Sequence, residues 1–413
     1  MSAASGGLLS VGAAQIPGRL HSLDVLRGCA ALSVVFWHWQ HFFYSGTKRA
    51  ALVIQDLPLV EVFFLFYSKG WLAVDLFFTL SGFVFYWLYS KGVAERAVGW
   101  RDFVVLRLSR LYPLHLLTLL AVLAGQWAFH GTTGTYYVYP FNDAYHFLLN
   151  VLFASSWNFE RGYSFNAPIW SVSVEVFLYA LFFALCRLIP VRLSVLSLVS
   201  AAGFLLVSPL YDPIGRGIGS FFLGGCMFLV YAGIVRAGRV AEFCRWSTCL
   251  AAVLWVAWIV AVWWEWGMQL GRAPALLLLW RLEPHVRVLQ SVLNAWPALL
   301  LFPLSILSLA LLETRNGSWG RGLSFLGNIS YSSYLLHFPL QLAVMTLATS
   351  LSRDARLFYS SGSLVLFFLI LLTASFASFH CFEVPVQRWL RKRFLTGRPV
   401  RGQGSLETGP PSG

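Results

Sequence analysis

Charge is what this chain has least of. Lys, Arg, Asp and Glu fill only 11% of its 413 positions, against about 25% in an average soluble domain. With 58% hydrophobic residues, such a chain cannot cover a water-facing surface and needs lipid as its solvent. Acids are the scarcer sign, 17 against 30 Lys and Arg. The resulting excess of +13 does not indicate nucleic acid. The basic residues fall in short clusters between apolar stretches, and no basic–aromatic groove outside the membrane accompanies them. Orientation of a membrane protein accounts for them better. The six cysteines form no CxxC pair, and no His/Cys cluster has zinc spacing, so no metal site is expected. An internal repeat is also missing, which weakens a transporter built on inverted halves. Residues 1–18 lack a basic n-region and an apolar h-region, so no cleaved signal peptide is expected.

What the chain has in abundance is apolar sequence. A ruler of about 20 residues per span gives ten candidates, near 22–43, 70–90, 111–129, 168–188, 193–211, 217–235, 247–266, 292–312, 326–349 and 360–382. Two stretches, 57–67 and 144–154, look too short to cross and read as re-entrant or interfacial pieces. The expected fold is therefore an all-α polytopic membrane protein with about ten transmembrane helices. Its parts are a short segment 1–19, a membrane domain 20–386, and a tail 387–413 that is basic and then Gly/Pro/Ser-rich, expected to be disordered. With both termini in the cytoplasm, twenty of the 30 basic residues fall inside and every inside loop is basic. The largest outside segments are then 44–69, 130–167 and 267–291.

Ionisable residues inside spans are costly and face a cavity or a partner. The first span carries Asp24, Arg27, His38 and His41. Arg27 and His38 are eleven positions apart, about 1100° of helix, so they share a face with an axial separation of about 16 Å. Asp24 lies one turn before Arg27 and can pair with it. Taken alone, Arg27 reads equally as a snorkelling anchor and His38 as a packed histidine; their shared face favours function. In the second span, Ser81-Gly82 offers a close-packing spot with a hydroxyl. Arg107 and Arg110, three apart, precede Tyr112-Pro113 at the entry to the third span. Arginine forks suit phosphates such as those of coenzyme A, although on this motif alone an anchoring pair is the preferred reading. Pro113 near a helix start is unremarkable. Trp170-Ser171 leads to Glu175, a carboxylate about a third of the way into the fourth span, near the outer side, with no local base to neutralise it. The ninth span holds Ser330, Tyr331, Tyr334 and His337, for which a structural hydrogen bond is the simpler role. Glu383-Val384-Pro385 closes the tenth, with Glu383 expected to pair with an arginine of the tail.

Together these segments resemble the family-3 membrane acyltransferases, which O-acylate surface polysaccharides, lipopolysaccharide and some small glycosides. The resemblance rests on Asp24-x-x-Arg27-Gly28, the Arg27-x10-His38 spacing, Phe77-Phe78-x-x-Ser81-Gly82-Phe83, the Arg107/Arg110 pair with Tyr112-Pro113, Trp170 to Glu175, Ser330 to His337, and Glu383-x-Pro385. Each is weak alone; in family order over positions 22 to 385 they are specific. No hydrolase-like domain follows the tenth span, as in the stand-alone form.

The resemblance implies transfer of an acyl group, acetyl in the first instance, from cytosolic acyl-CoA to a hydroxyl of an envelope or exported glycan or glycolipid, in a bacterial inner membrane. Coenzyme A thioester and bilayer are the implied partners, with neither nucleic acid nor metal. His38 is the expected base, since its pKa lies near working pH. Arg107 and Arg110 would grip the donor phosphates. Arg27 would hold phosphate or polarise the thioester carbonyl, oriented by Asp24. Ser81 is assigned to the donor, Glu175 to orienting the acceptor or His38, and Trp170, Tyr331 and His337 to the substrate. Direct transfer is preferred to an acyl-histidine. A transporter or flippase of an envelope lipid or glycan is the rival of another class, and an acyltransferase of a small-molecule glycoside the rival within the class. The aromatic segment 130–167 suits sugar stacking and an interfacial belt equally.

Overall fold

Inside a bilayer every backbone N–H and C=O must find an internal partner, and helices supply one from within each segment. The computed structural model describes residues 16–49, 52–269 and 294–395. Its helices are α1 (His21–Trp37), α2 (Val60–Lys69), α3 (Ala73–Leu88), α4 (Ser90–Ala94), α5 (Trp100–Thr133), α6 (Ala144–Val151), α7 (Trp170–Leu188), α8 (Leu193–Ala202), α9 (Asp212–Arg236) and α10 (Val240–Gln269). Beyond the undescribed stretch come α11 (Phe302–Asn316), α12 (Phe325–Asn328), α13 (Ser330–Ser350), α14 (Ser361–Ser378) and α15 (Val384–Phe394). Strand among the described residues is limited to one antiparallel ribbon, β1 (Tyr44–Ser45) with β2 (Lys48–Arg49). Residues 270–291 of the expected 267–291 segment, residues 1–15 and the tail past 395 lie outside the described residues.

Seven helical runs among the described residues are long and apolar enough to cross a membrane: Val60–Leu88, Trp100–Thr133, Ala167–Leu188, Asp212–Arg236, Val240–Trp266, Asn294–Asn316 and Ser361–Phe394. The other expected spans coincide with α1 at 17 residues, with the apolar helix Leu193–Val207, and with α13, whose 21 residues include several polar ones. The chain is thus an all-α polytopic membrane protein.

Three local expectations are corrected. The 57–67 stretch is no separate re-entrant piece, because a 3-10 turn at Gly70–Leu72 carries α2 into α3 as one run. The third span begins at Trp100, not near 111, so Arg107 and Arg110 lie inside α5 and Pro113 is an interior proline. The first helix ends at Trp37 and tightens into a 3-10 turn, His38–Phe43, so His38 opens that turn.

Two contacts fix the helices that carry the site. The start of α1 is capped from far away: the Glu313 carboxylate accepts the His21 and Ser22 amides at 2.8 Å each and the Ser22 hydroxyl at 2.7 Å. An anion there satisfies amides that lack helical partners and complements the helix dipole. Further in, α3 and α9 touch backbone to backbone. A Cβ on Gly82 would lie 1.8 Å from the Phe221 carbonyl oxygen, and one on Gly224 would lie 1.9 Å from that of Thr79. Around this seam pack Phe85, Phe182 and Phe221, with the Phe85 and Tyr179 rings stacked at 4.4 Å.

Candidate active site

Arg19 and Gln387 line one cavity, so both ends of the described chain open at the same end of the bundle. From that terminal end three cavities follow one another. The first is walled by Arg19, Asp24, Arg27, Arg107, Arg110 and Tyr331. The second shares Arg27, Arg107, Arg110 and Tyr331 with it and adds Ser81, Ser171, Glu175, Tyr179 and Tyr334. The third, about 370 Å³, lies at the far end among Trp37, His38, His41, Trp71, Tyr139, Tyr163, Trp170 and Arg216, and has Tyr334 in common with the second. Arg27 and His38, expected on one face, thus serve successive cavities.

The terminal end is lined by guanidiniums. Arg27 donates to the Gly327 carbonyl at 2.6 Å and contacts Asp24 at 3.4 Å; Asp24 is held more closely by Arg19, at 2.9 Å. Arg107 donates to the Tyr89 hydroxyl, with its guanidinium 5.0 and 4.6 Å from the Phe85 and Tyr89 ring centroids. Arg110 lines both cavities and makes no hydrogen bond among the described residues. Three guanidiniums converge on space faced by the single carboxylate of Glu175 in the second cavity. Forked cations at such density suit phosphate.

Glu175 stands elsewhere than expected. It does not line the His38 cavity; it lies one cavity inward, accepting from Ser81 at 2.5 Å and Tyr179 at 2.6 Å. Ser81 therefore commits its hydroxyl to Glu175. Tyr331 borders the two arginine cavities and donates to the Leu111 carbonyl at 2.6 Å. Glu383, expected to meet a tail arginine, accepts instead from Ser332 at 2.5 Å and Ser378 at 2.9 Å. Arg391 of the tail turns to the Ser109 hydroxyl and the Leu106 carbonyl.

The far end holds three histidines, and their partners fix their tautomers. His337 is fully buried, with Nδ1 2.6 Å from the Tyr334 carbonyl. A carbonyl only accepts, so His337 Nδ1 carries hydrogen and, in the neutral ring, Nε2 is the acceptor. His38 Nδ1, 3.2 Å away, must then donate to it. The lone pair of neutral His38 is left on Nε2, and its ring borders the far cavity. His41 is arranged likewise. Gln341 donates its amide to the His38 carbonyl at 2.9 Å, which turns Oε1 to accept from His41 Nδ1 at 3.0 Å. The Tyr139 hydroxyl then donates to His41 Nε2 at 3.3 Å. Trp170, as a sugar-contact candidate, does line this cavity.

Sequence reasoning missed Tyr334 and Gln341 as members of the site and reached Tyr139 only through the aromatic segment 130–167. A signal existed: Ser330, Tyr334, His337 and Gln341 recur at helical spacing on one face of α13. Arg216 was also missed. It is held by buried Asp75 on α3 at 2.6 Å and stacks 5.1 Å from the Trp71 ring.

Residues 20–379 match the family described as an acyltransferase domain. Over 103 residues the chain is 38% identical to protein 2 in the picA locus of Rhizobium radiobacter, covering 25% of this chain and 44% of that one. Over 181 residues it is 34% identical to acyltransferase MdmB of Streptomyces mycarofaciens, covering 42% of each. The matched stretches span under half the length of these relatives. No solved structure matches significantly. The family match runs over nearly the whole chain and takes in every cavity residue named above except Arg19 and Gln387, so the chain belongs to the family-3 membrane acyltransferases.

Proposed function

We propose that this protein moves an acetyl group from cytosolic acetyl-CoA to a hydroxyl of a cell-envelope or exported glycan, from within a bacterial inner membrane. The observation that carries this reading is the His38 Nε2 lone pair, fixed by His337, beside a cavity that is continued inward by a chamber with three arginines. The terminal end of the bundle is taken as the cytoplasmic one, in keeping with the basic loops.

In the proposed reaction Arg107 and Arg110 hold the coenzyme A phosphates, and Arg27, steadied by Asp24, faces phosphate or the thioester carbonyl. The acceptor enters the far cavity, whose Trp37, Trp71, Tyr139 and Trp170 suit a sugar ring. His38 Nε2 takes the hydroxyl proton as the oxygen attacks the thioester carbon. The tetrahedral oxyanion collapses, the C–S bond breaks, and the coenzyme A thiolate recovers the proton from His38. No acyl-enzyme is needed. Glu175 belongs to the donor chamber in this scheme, where its carboxylate limits the positive field.

The test is the acyl content of envelope glycans, measured by mass spectrometry in a gene-deleted strain carrying wild type or His38→Ala. Loss of one acyl modification with His38→Ala, at equal membrane abundance, is expected; near-normal acylation overturns the assignment. Acetyl-CoA should raise the melting temperature of purified protein; the absence of a shift with any acyl-CoA favours a transporter.

A further inference from the structure

The proposed reaction brings a donor from one side and an acceptor from the other, yet Tyr334 stands between their cavities. Its ring borders both the arginine chamber and the histidine cavity, and only 5% of the residue is exposed. Its hydroxyl is doubly held: 2.5 Å from the Pro168 carbonyl and 2.7 Å from the Ser171 hydroxyl. The phenol has one hydrogen, and the carbonyl can only accept it. Ser171 must therefore donate to the phenol oxygen. Tyr334 has no proton left for the chemistry in this state, and its hydroxyl serves as a latch.

The surroundings suit a wall. The edge of Phe77, which lines the arginine chamber, meets the Tyr334 ring at 6.0 Å between centroids and 68° between planes. The Tyr334 carbonyl receives His337 Nδ1, so the residue that separates the cavities also anchors the partner of His38. On the chamber side the lining beyond the arginines is largely apolar, including Phe77, Phe78, Val84 and Val172.

The geometry points to Tyr334 as the gauge of acyl-chain length, a specificity-determining residue that admits a short acyl group to His38 and refuses a longer one. The inference rests on the reading of an acyl-CoA donor. With the coenzyme A phosphates held at the arginines, the acyl carbons are the leading end of the donor and meet this ring. Each added methylene must displace the ring or fold back, whereas an acetyl group presents a single methyl. A pocket wall discriminates a methylene by about tenfold or more, a difference an assay reads easily.

Purified full-length protein in nanodiscs containing extract of its native envelope is supplied with acetyl-, butyryl- or hexanoyl-CoA, and release of coenzyme A thiol is followed. Wild type should favour acetyl-CoA. Tyr334→Ala removes the ring and should raise the butyryl-to-acetyl ratio of kcat/KM by about tenfold. Tyr334→Phe loses the latch but keeps the wall, so its ratio should stay near wild type. Tyr334→Leu serves if the alanine variant does not fold, and should raise the ratio in the same direction. An active Tyr334→Ala or Tyr334→Leu protein with the wild-type ratio overturns the gauge. Wild type that releases no thiol from any of the three donors overturns the donor reading instead, which tells the two failures apart.

Discussion

Asp75 on α3 grips Arg216 on α9 by two parallel bonds, Nη2 to Oδ2 at 2.6 Å and Nε to Oδ1 at 3.1 Å, with the Asp75 side chain 2% exposed. Removing one partner of such a pair leaves a charge stranded in a poor solvent, which costs about 3–5 kcal/mol. Asp75→Ala should lower the detergent melting temperature strongly, and adding Arg216→Ala should recover part of the loss. A double variant no more stable than Asp75→Ala would argue against the pair as the cause. Arg216 also lines the far cavity, so Arg216→Ala alone should weaken acceptor use more than donor use.

The His337–His38 contact predicts a graded loss of rate. His38→Ala removes the proposed base, a group worth about 10²–10⁴-fold. His337→Phe keeps the base but frees its tautomer and orientation, and should cost less, about tenfold to a hundredfold in kcat with little change in the donor KM. Equal losses for both variants would make His337 a participant in the chemistry.

The arginine chamber should govern the donor alone. Arg110→Ala is expected to raise the acetyl-CoA KM and abolish the acetyl-CoA thermal shift while leaving the melting temperature of the free protein nearly unchanged, because Arg110 makes no hydrogen bond among the described residues. Arg107→Ala should cost stability as well, since Arg107 is buried against Tyr89 and Phe85. A normal donor KM in Arg110→Ala would move the donor site elsewhere.

The seam between α3 and α9 should tolerate no side chain. Gly82→Ala places a methyl 1.8 Å from a backbone oxygen, which can yield only by parting the helices. The variant should fail to accumulate as a monodisperse species in detergent, whereas Gly131→Ala, with no atom within 4 Å, should behave as wild type.

Outside the spans, Asp143 caps α6. Chiefly the His146 amide, donating at 2.9 Å, holds its carboxyl below the usual carboxylate range. A carboxyl lowered in the folded state contributes stability that is present above its ordinary pKa of about 3.9 and is lost as pH falls through the folded value. The hydrogen-exchange protection of α6, taken relative to the intrinsic rate at each pH, should therefore fall in acid below about pH 4. Asp143→Asn, which still caps but does not ionise, should remove that dependence. The same acid response in Asp143→Asn would assign it to another group.

Arg27, His38, Arg107, Arg110 and Glu175 were legible in the sequence because an ionisable group in an apolar run stands out against its cost. Tyr334 and Gln341 were not, since a phenol or an amide is tolerated in such a run and its partner is remote: Gln341 meets His41 across 300 positions. The cavity that Glu175 faces was not legible because its span, expected at 168–188 and found at Ala167–Leu188, was read from hydropathy alone. The start of α5 was hidden for the same reason: its first turns, with Arg101, Asp102 and Arg107, carry charge that apolarity cannot follow. Helix identity survived these errors because the lipid demands it of every segment.

The Glu313 cap also bears on how the protein is made. The amides of His21 and Ser22 find their acceptor 292 and 291 positions downstream. While the ribosome is still at work, the opening turn of the first helix stays incomplete through most of synthesis and is finished only after α11 has been threaded into the bilayer. A nascent chain stopped short of residue 313 should therefore present a frayed, protease-sensitive start, and Arg19 and Arg27, which wall the terminal cavity, should settle late, after most of the bundle has been assembled around them.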